Sequence, residues 1–149
     1  MGLLHFVKEA GEKVWDVVVG SRAEDQAEML KKHIDSLNLP GAEKVSIAVQ
    51  DDGTATVAGT LDSQEDKEKI LVAAGNVTGI GQVNDLISVT QSGPASRLYT
   101  VKSGDTLSAI SKAMYGSANN YLIIFEANKP MLEHPDKIYP GQVLIIPEK

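Results

Sequence analysis

The apolar period of this chain changes from helical to alternating and back between residues 21 and 91. Ala23, Ala27, Leu30, Ile34 and Leu37 fall on one face of a helix that Pro40-Gly41 stops. At its start Ser21 and Glu24 form a capping-box pattern, in which hydroxyl and carboxylate each satisfy an orphan amide. Val45, Ile47 and Val49 then alternate with polar residues, Asp51-Asp52-Gly53 turns the chain, and residues 54–58 return as a second strand. Residues 61–65 open another helix with acids at its positive end, and Ile70, Leu71 and Ala74 supply its buried face. The glycine-rich stretch 75–81 ends that helix, and residues 83–89 form a third strand. These switches predict an α+β unit of order α-β-β-α-β over residues 21–91.

A small, polar, Gly/Pro-bearing run then marks a linker at 92–97. Beyond it, residues 98–149 predict a second unit: strand 98–101, helix 105–115, helix 119–128 and strand 143–147, each strand beside a glycine turn. The first twenty residues belong to neither unit. Leu3, Val7, Val14 and Val18 lie near helical spacing, with Gly11 interrupting. The spacing predicts a short N-terminal helical segment, broken around residues 10–12, that packs on the first unit. The fold class expected is therefore α+β with two small domains.

Composition removes several function classes. The chain has 149 residues and no Cys, so neither a disulfide framework nor a thiolate metal site is available. Of the net charge of −6, residues 21–92 carry the acidity, with 6 basic against 12 acidic side chains. Without a basic stripe, no nucleic-acid partner is expected. His5, His33 and His134 lie in separate segments with no i,i+4 pair, so no metal site or nucleophile–base pair is read from them. Asp51 and Asp52 fit a hairpin turn, and Glu65 and Asp66 fit a helix N-terminus. The downstream ligands of a calcium loop are absent, because Thr54, Thr56 and Ala58 alternate as strand. No catalytic constellation emerges, and the expectation is that this is not an enzyme.

The first residues bear on location. Leu3, Leu4, Phe6 and Val7 are interrupted by His5 and followed by Lys8, Glu9, Glu12 and Lys13, which leaves no apolar core of a secretory signal. Val17, Val18 and Val19 are too few to span a membrane. A cytoplasmic protein without membrane insertion is expected.

Two places could present backbone carbonyls to an ion. One is residues 7–12 around the Gly11 break, and the other is residues 75–81 after the second helix of the first unit. Helix C-termini leave carbonyls unpaired at the negative end of the dipole, and glycine turns permit unusual backbone angles. A large, weakly hydrated ion such as potassium is selected by arrays of such carbonyls rather than by carboxylates. An ordinary helix cap is the alternative reading of both places.

Family resemblance sharpens these readings. The first unit resembles a BON domain, particularly at Ile47, Asp52-Gly53, Ala58-Gly59 and Val77-Thr78-Gly79-Ile80 with Val83. The second resembles a LysM module, carried by Tyr99-Thr100-Val101, Gly104-Asp105-Thr106-Leu107, Ile110, Tyr115, Ile124, Asn128, Ile138 and Pro140-Gly141-Gln142. A LysM resemblance implies a groove for N-acetylglucosamine polymers such as peptidoglycan, here at Gly104, Asp105, Thr106, Leu107, Ile138 and Tyr139. The same residues also turn the chain and cap a helix whether or not sugar binds. The whole architecture resembles the cytoplasmic potassium-binding BON–LysM proteins of enteric bacteria. That resemblance, and not the spacing, implies a monomeric K⁺ sensor or buffer that compacts on binding. It implies backbone ligands at Val7, Ala10, Glu12, Gly75, Val77, Thr78 and Ile80. The alternatives are a cell-envelope adaptor that binds peptidoglycan and an adaptor for an unidentified protein partner.

Overall fold

The computed structural model describes residues 2–8, 10, 11, 23–91 and 93–148. Among the described residues the α-helices and strands run in the order β1 (Gly2–His5), α1 (Ala23–Ser36), β2 (Val45–Val49), β3 (Thr54–Ser63), α2 (Gln64–Gly75), β4 (Gln82–Gln91), β5 (Arg97–Thr100), α3 (Leu107–Tyr115), α4 (Tyr121–Ala127) and β6 (Val143–Ile146). The first unit is a four-stranded sheet of order β1-β4-β3-β2 covered by α1 and α2. β2 and β3 form the expected hairpin, closed where Gly53 N donates to Gln50 O at 3.0 Å and Asp52 Oδ1 accepts from Thr54 N at 3.0 Å. β3 and β4 are parallel, and α2 makes the crossover that parallel neighbours require. Leu30, Ile34, Val57, Leu61, Ile70, Ile80, Val83 and Ile87 fill the space between sheet and helices at 2% exposure or less. Burying one such side chain contributes about 1.5–3 kcal/mol.

Two local expectations are corrected. Residues 2–5, read as helix, form β1, which pairs antiparallel with the edge of β4 from Gly2↔Asp85 to His5↔Gln82. A short apolar run is ambiguous between helix and strand, and here the open edge of β4 decides it by offering a ladder. The helix expected from Leu61 begins at Gln64, because β3 continues its parallel pairing with β4 through Ser63. Ser63 then caps the helix, its Oγ accepting from Asp66 N at 3.1 Å. The capping box at Ser21 and the turn around Trp15 lie outside the described residues.

The second unit is a two-stranded antiparallel sheet, β5 with β6, packed against α3 and α4 around Val101, Leu107, Ile110, Ile124, Leu132, Leu144 and Ile146. Among the described residues, β6 has no second strand beside it. Two asparagine side chains stand there instead. Asn128 donates from Nδ2 to Ile145 O at 2.9 Å and accepts from Ile145 N at 2.8 Å. Two residues earlier along the strand, Asn76 of the first unit makes the same pair of bonds to Val143, both at 2.8 Å. The two units are thus docked, and Val72, Phe6, Ala127, Met131, Val143 and Ile145 form an apolar cluster across the join. The linker is tied down as well, since Ser96 N donates to a carboxylate oxygen of Glu68 at 2.7 Å.

Candidate ion site

α2 ends at Gly75, where Asn76 N still donates to Val72 O at 2.9 Å but Asn76 itself leaves helical geometry. A tight turn follows, with Ile80 N donating to Val77 O at 3.0 Å, before β4 begins. The N-terminal segment leaves β1 at His5 and runs against this turn. Phe6 N donates to Gly81 O at 2.9 Å, and Gly79 N donates to Lys8 O at 2.7 Å. Thr78 Oγ1 donates to Gly11 O at 3.0 Å across 67 residues of sequence. Gly11 adopts φ +103°, and a Cβ there would lie 2.5 Å from the carbonyl carbon of Asn76. The approach therefore needs glycine for both conformation and space. The same holds for space alone at Gly75, whose missing side chain leaves room for the ring of Phe6. The third strand of contact comes from the hairpin turn, where Gly81 N donates to Gly53 O at 2.9 Å.

The structure thus brings together the two places singled out in the sequence. Of the residues predicted as ligands, Val7, Ala10, Gly75, Val77, Thr78 and Ile80 lie in these two touching segments, and Glu12 lies outside the described residues. Val7 O accepts from Ala10 N at 3.0 Å, and Val77 O is engaged by Ile80 N. Each carbonyl keeps a second lone pair. The carbonyls of Ala10, Gly75, Thr78 and Ile80 accept no backbone hydrogen bond in the turns and loops among the described residues. Gly75, Val77 and Ile80 are buried and Ala10 and Thr78 half-buried, and the turn follows the negative end of the α2 dipole. Among the described residues no group of three or more His, Asp or Glu side chains could hold a metal. The chemistry offered here is that of neutral oxygens, which suit a monovalent cation better than calcium.

The residues of the sugar groove are engaged differently. Asp105 accepts from Tyr99 Oη at 2.7 Å and from Lys102 N at 2.8 Å. The Lys102 amide, then the Tyr99 hydroxyl, hold its carboxyl below the usual carboxylate range, and the same contact raises the Tyr99 phenol. Thr106 caps α3 by accepting from Ala109 N at 3.1 Å, while Leu107 and Ile138 pack in the second core. Tyr139 shares a cavity of about 360 Å³ with His33 of α1 and Leu37 just beyond it. Gly104 and Thr106 are exposed, and a Cβ at Gly104 would meet open space. Sequence reasoning placed Asn76 within the 75–81 stretch without a role, and missed the contacts of Phe6 and Gly141 with the two segments. An asparagine directly after a helix-ending glycine was the available signal for Asn76.

Residues 22–91 match the BON domain family, and residues 99–147 match the LysM domain family. The chain is also 59% identical over 150 residues, covering 100% of both chains, to the potassium binding protein Kbp of Escherichia coli O6:H1 (strain CFT073). The chain belongs to the BON–LysM family of Kbp. In this BON–LysM chain the contact between the N-terminal segment and the 75–81 turn lies on the BON side of the join. No described helix is long and apolar enough to cross a membrane.

Proposed function

We propose that this chain is a cytoplasmic, monomeric potassium-binding protein, a sensor or buffer rather than an enzyme, that compacts when it binds K⁺. The observation that carries the reading is the full-length 59% identity to a protein named for potassium binding. The geometry supports a place for the ion. Carbonyls of Val7, Ala10 and Glu12 on one side and of Gly75, Val77, Thr78 and Ile80 on the other replace its hydration shell. K⁺ loses water more readily than Na⁺, and a set of several carbonyl dipoles favours the larger ion. Ligation adds new bonds between two segments that Thr78 and Gly11 already join, so the ion stabilises the closed arrangement of N-terminal segment, BON unit and LysM unit. It does so by its differential affinity for that arrangement.

Titration with Li⁺, Na⁺, K⁺, Rb⁺, Mg²⁺ and Ca²⁺, followed by calorimetry, Trp15 fluorescence and hydrodynamic radius, tests this. K⁺ and Rb⁺ should produce heat and a smaller radius at millimolar concentration or below, and Na⁺ should not. Equal response to all six ions, or none, overturns the reading. Sedimentation with purified peptidoglycan in the absence of any K⁺ response would favour the envelope adaptor instead.

A further inference from the structure

Two contacts run from the LysM unit directly onto the segments assigned to the ion. Asn76 stands immediately after Gly75 and is only 4% exposed. Its side chain is fully committed to the LysM unit, with both bonds to Val143 and an Nδ2 contact of 3.4 Å to Met131 Sδ. Its backbone is committed to the loop, since its carbonyl is what Gly11 packs against. On the other side, Gly141 adopts φ +90° in the turn before β6, and a Cβ there would lie 2.7 Å from Ala10 Cβ and 3.2 Å from Val7 Cβ. One short stretch of the LysM unit, residues 141–143, therefore bears on Val7 and Ala10 and, through Asn76, on residues 75–78.

We infer that Asn76 is a positioning residue of the ion site, acting through its pair of bonds to β6. This rests on the potassium reading above. An amide that makes two parallel bonds to a strand edge fixes its own Cα as strictly as a strand neighbour would, and Gly75 and Val77 are bonded to that Cα's own peptide units. Undocking β6 releases the amide, and the carbonyls of the loop lose their common aim. A carbonyl array whose oxygens can drift also loses discrimination between ions of different size. Affinity and selectivity thus depend on a contact that touches no ion. By linkage, K⁺ in turn favours docking of the LysM unit by the same factor.

The test uses the full chain and three variants, with K⁺ and Na⁺ calorimetry and an amide NMR spectrum of each. Asn76→Ala should weaken K⁺ binding at least about fivefold and narrow the K⁺/Na⁺ ratio, with the LysM resonances still dispersed. Gly141→Ala approaches the same site from the LysM side and should shift both quantities in the same direction, which covers the case in which Asn76→Ala does not fold. Asn128→Ala removes the matching pair of bonds to Ile145, and a bond to Ile124 O, within the LysM unit and controls for lost stability alone, so its K⁺ affinity should match the parent chain. A parent chain that binds K⁺ while Asn76→Ala and Gly141→Ala bind it with unchanged affinity and selectivity overturns the inference alone. Failure of the parent chain to bind K⁺ overturns the potassium reading, and this inference with it.

Discussion

Gly11 and Asp105 show how much of this molecule depends on single atoms. At Gly11 the missing side chain admits the Asn76 carbonyl, and the positive φ adds a second requirement that an L-residue meets poorly. Gly11→Ala should therefore separate the N-terminal segment from the 75–81 turn. The expected result is loss of measurable K⁺ heat in calorimetry, with the thermal transition of the LysM unit retained. Thr78→Val is milder, because it removes one hydroxyl bond to Gly11 O at a cost of about 1 kcal/mol and leaves every proposed backbone ligand in place. It should weaken K⁺ binding only a few-fold. Asp105 makes a prediction of a different kind. Its carboxyl titrates lower in the folded chain than in the unfolded one, because the Lys102 amide and the Tyr99 hydroxyl both favour the charged form. A lowered pKa contributes stability that is present above the unfolded value of about 3.9 and is lost as pH falls through the folded value. Denaturant melts of the parent chain should show the LysM transition weakening below about pH 4. The Asp105→Asn variant should show a flatter dependence there, and identical slopes would remove Asp105 from the account.

At the scale of elements, β1 is the part that matters most and the part least legible in the sequence. Leu3 and Val7 stand four apart and Leu4 and Phe6 two apart, so local pattern supports helix and strand alike. What settles the matter is the unpaired edge of β4, contributed by residues some eighty positions away. The α2 crossover, the β2–β3 hairpin and the paired strands of the second unit were legible because each is set by its own period and its own turn residues. The glycines of the 75–81 turn were legible as irregular backbone, but the contact of that turn with Gly11 was not, since no local signal links the two. Asn76 is the clearest case of this limit. Its type suits a helix end, and its real partner is a strand 67 residues on. Removal of residues 2–5 tests the role of β1. Without it, the edge of β4 is open to a second chain, and Phe6 to Gly11 lose the ladder that aims them. Light scattering should show concentration-dependent association of the shortened chain, and calorimetry should show weaker K⁺ binding. A strictly monomeric product that retains full affinity would mean that the contacts from Phe6 onward suffice.

At the scale of the whole molecule, the described residues form two cores joined by a third, smaller cluster in which Phe6, Val72 and Val143 come from the N-terminal segment, α2 and β6. On the potassium reading proposed above, that junction would make the ion, the N-terminal segment and both domains parts of one equilibrium. An ion that binds only the closed arrangement stabilises it by RT ln(1 + [K⁺]/Kd), about 2.7 kcal/mol at a hundredfold excess over Kd. For a chain of this size each kcal/mol raises the melting temperature by roughly 2–4 °C. Saturating K⁺ should therefore raise the BON transition by several degrees, and Na⁺ at equal ionic strength should leave it unmoved. The second transition discriminates between mechanisms. If the LysM unit only sits beside the site, its transition stays where it was when K⁺ is added. If Asn76 and Gly141 transmit ligation across the join, the two transitions move upward together and merge toward one. In the Asn76→Ala variant they should separate again, because the BON unit can then close on the ion without engaging β6. Differential scanning calorimetry across a K⁺ series reads both transitions in one experiment, and an immobile LysM transition in the parent chain would reduce the second domain to a bystander.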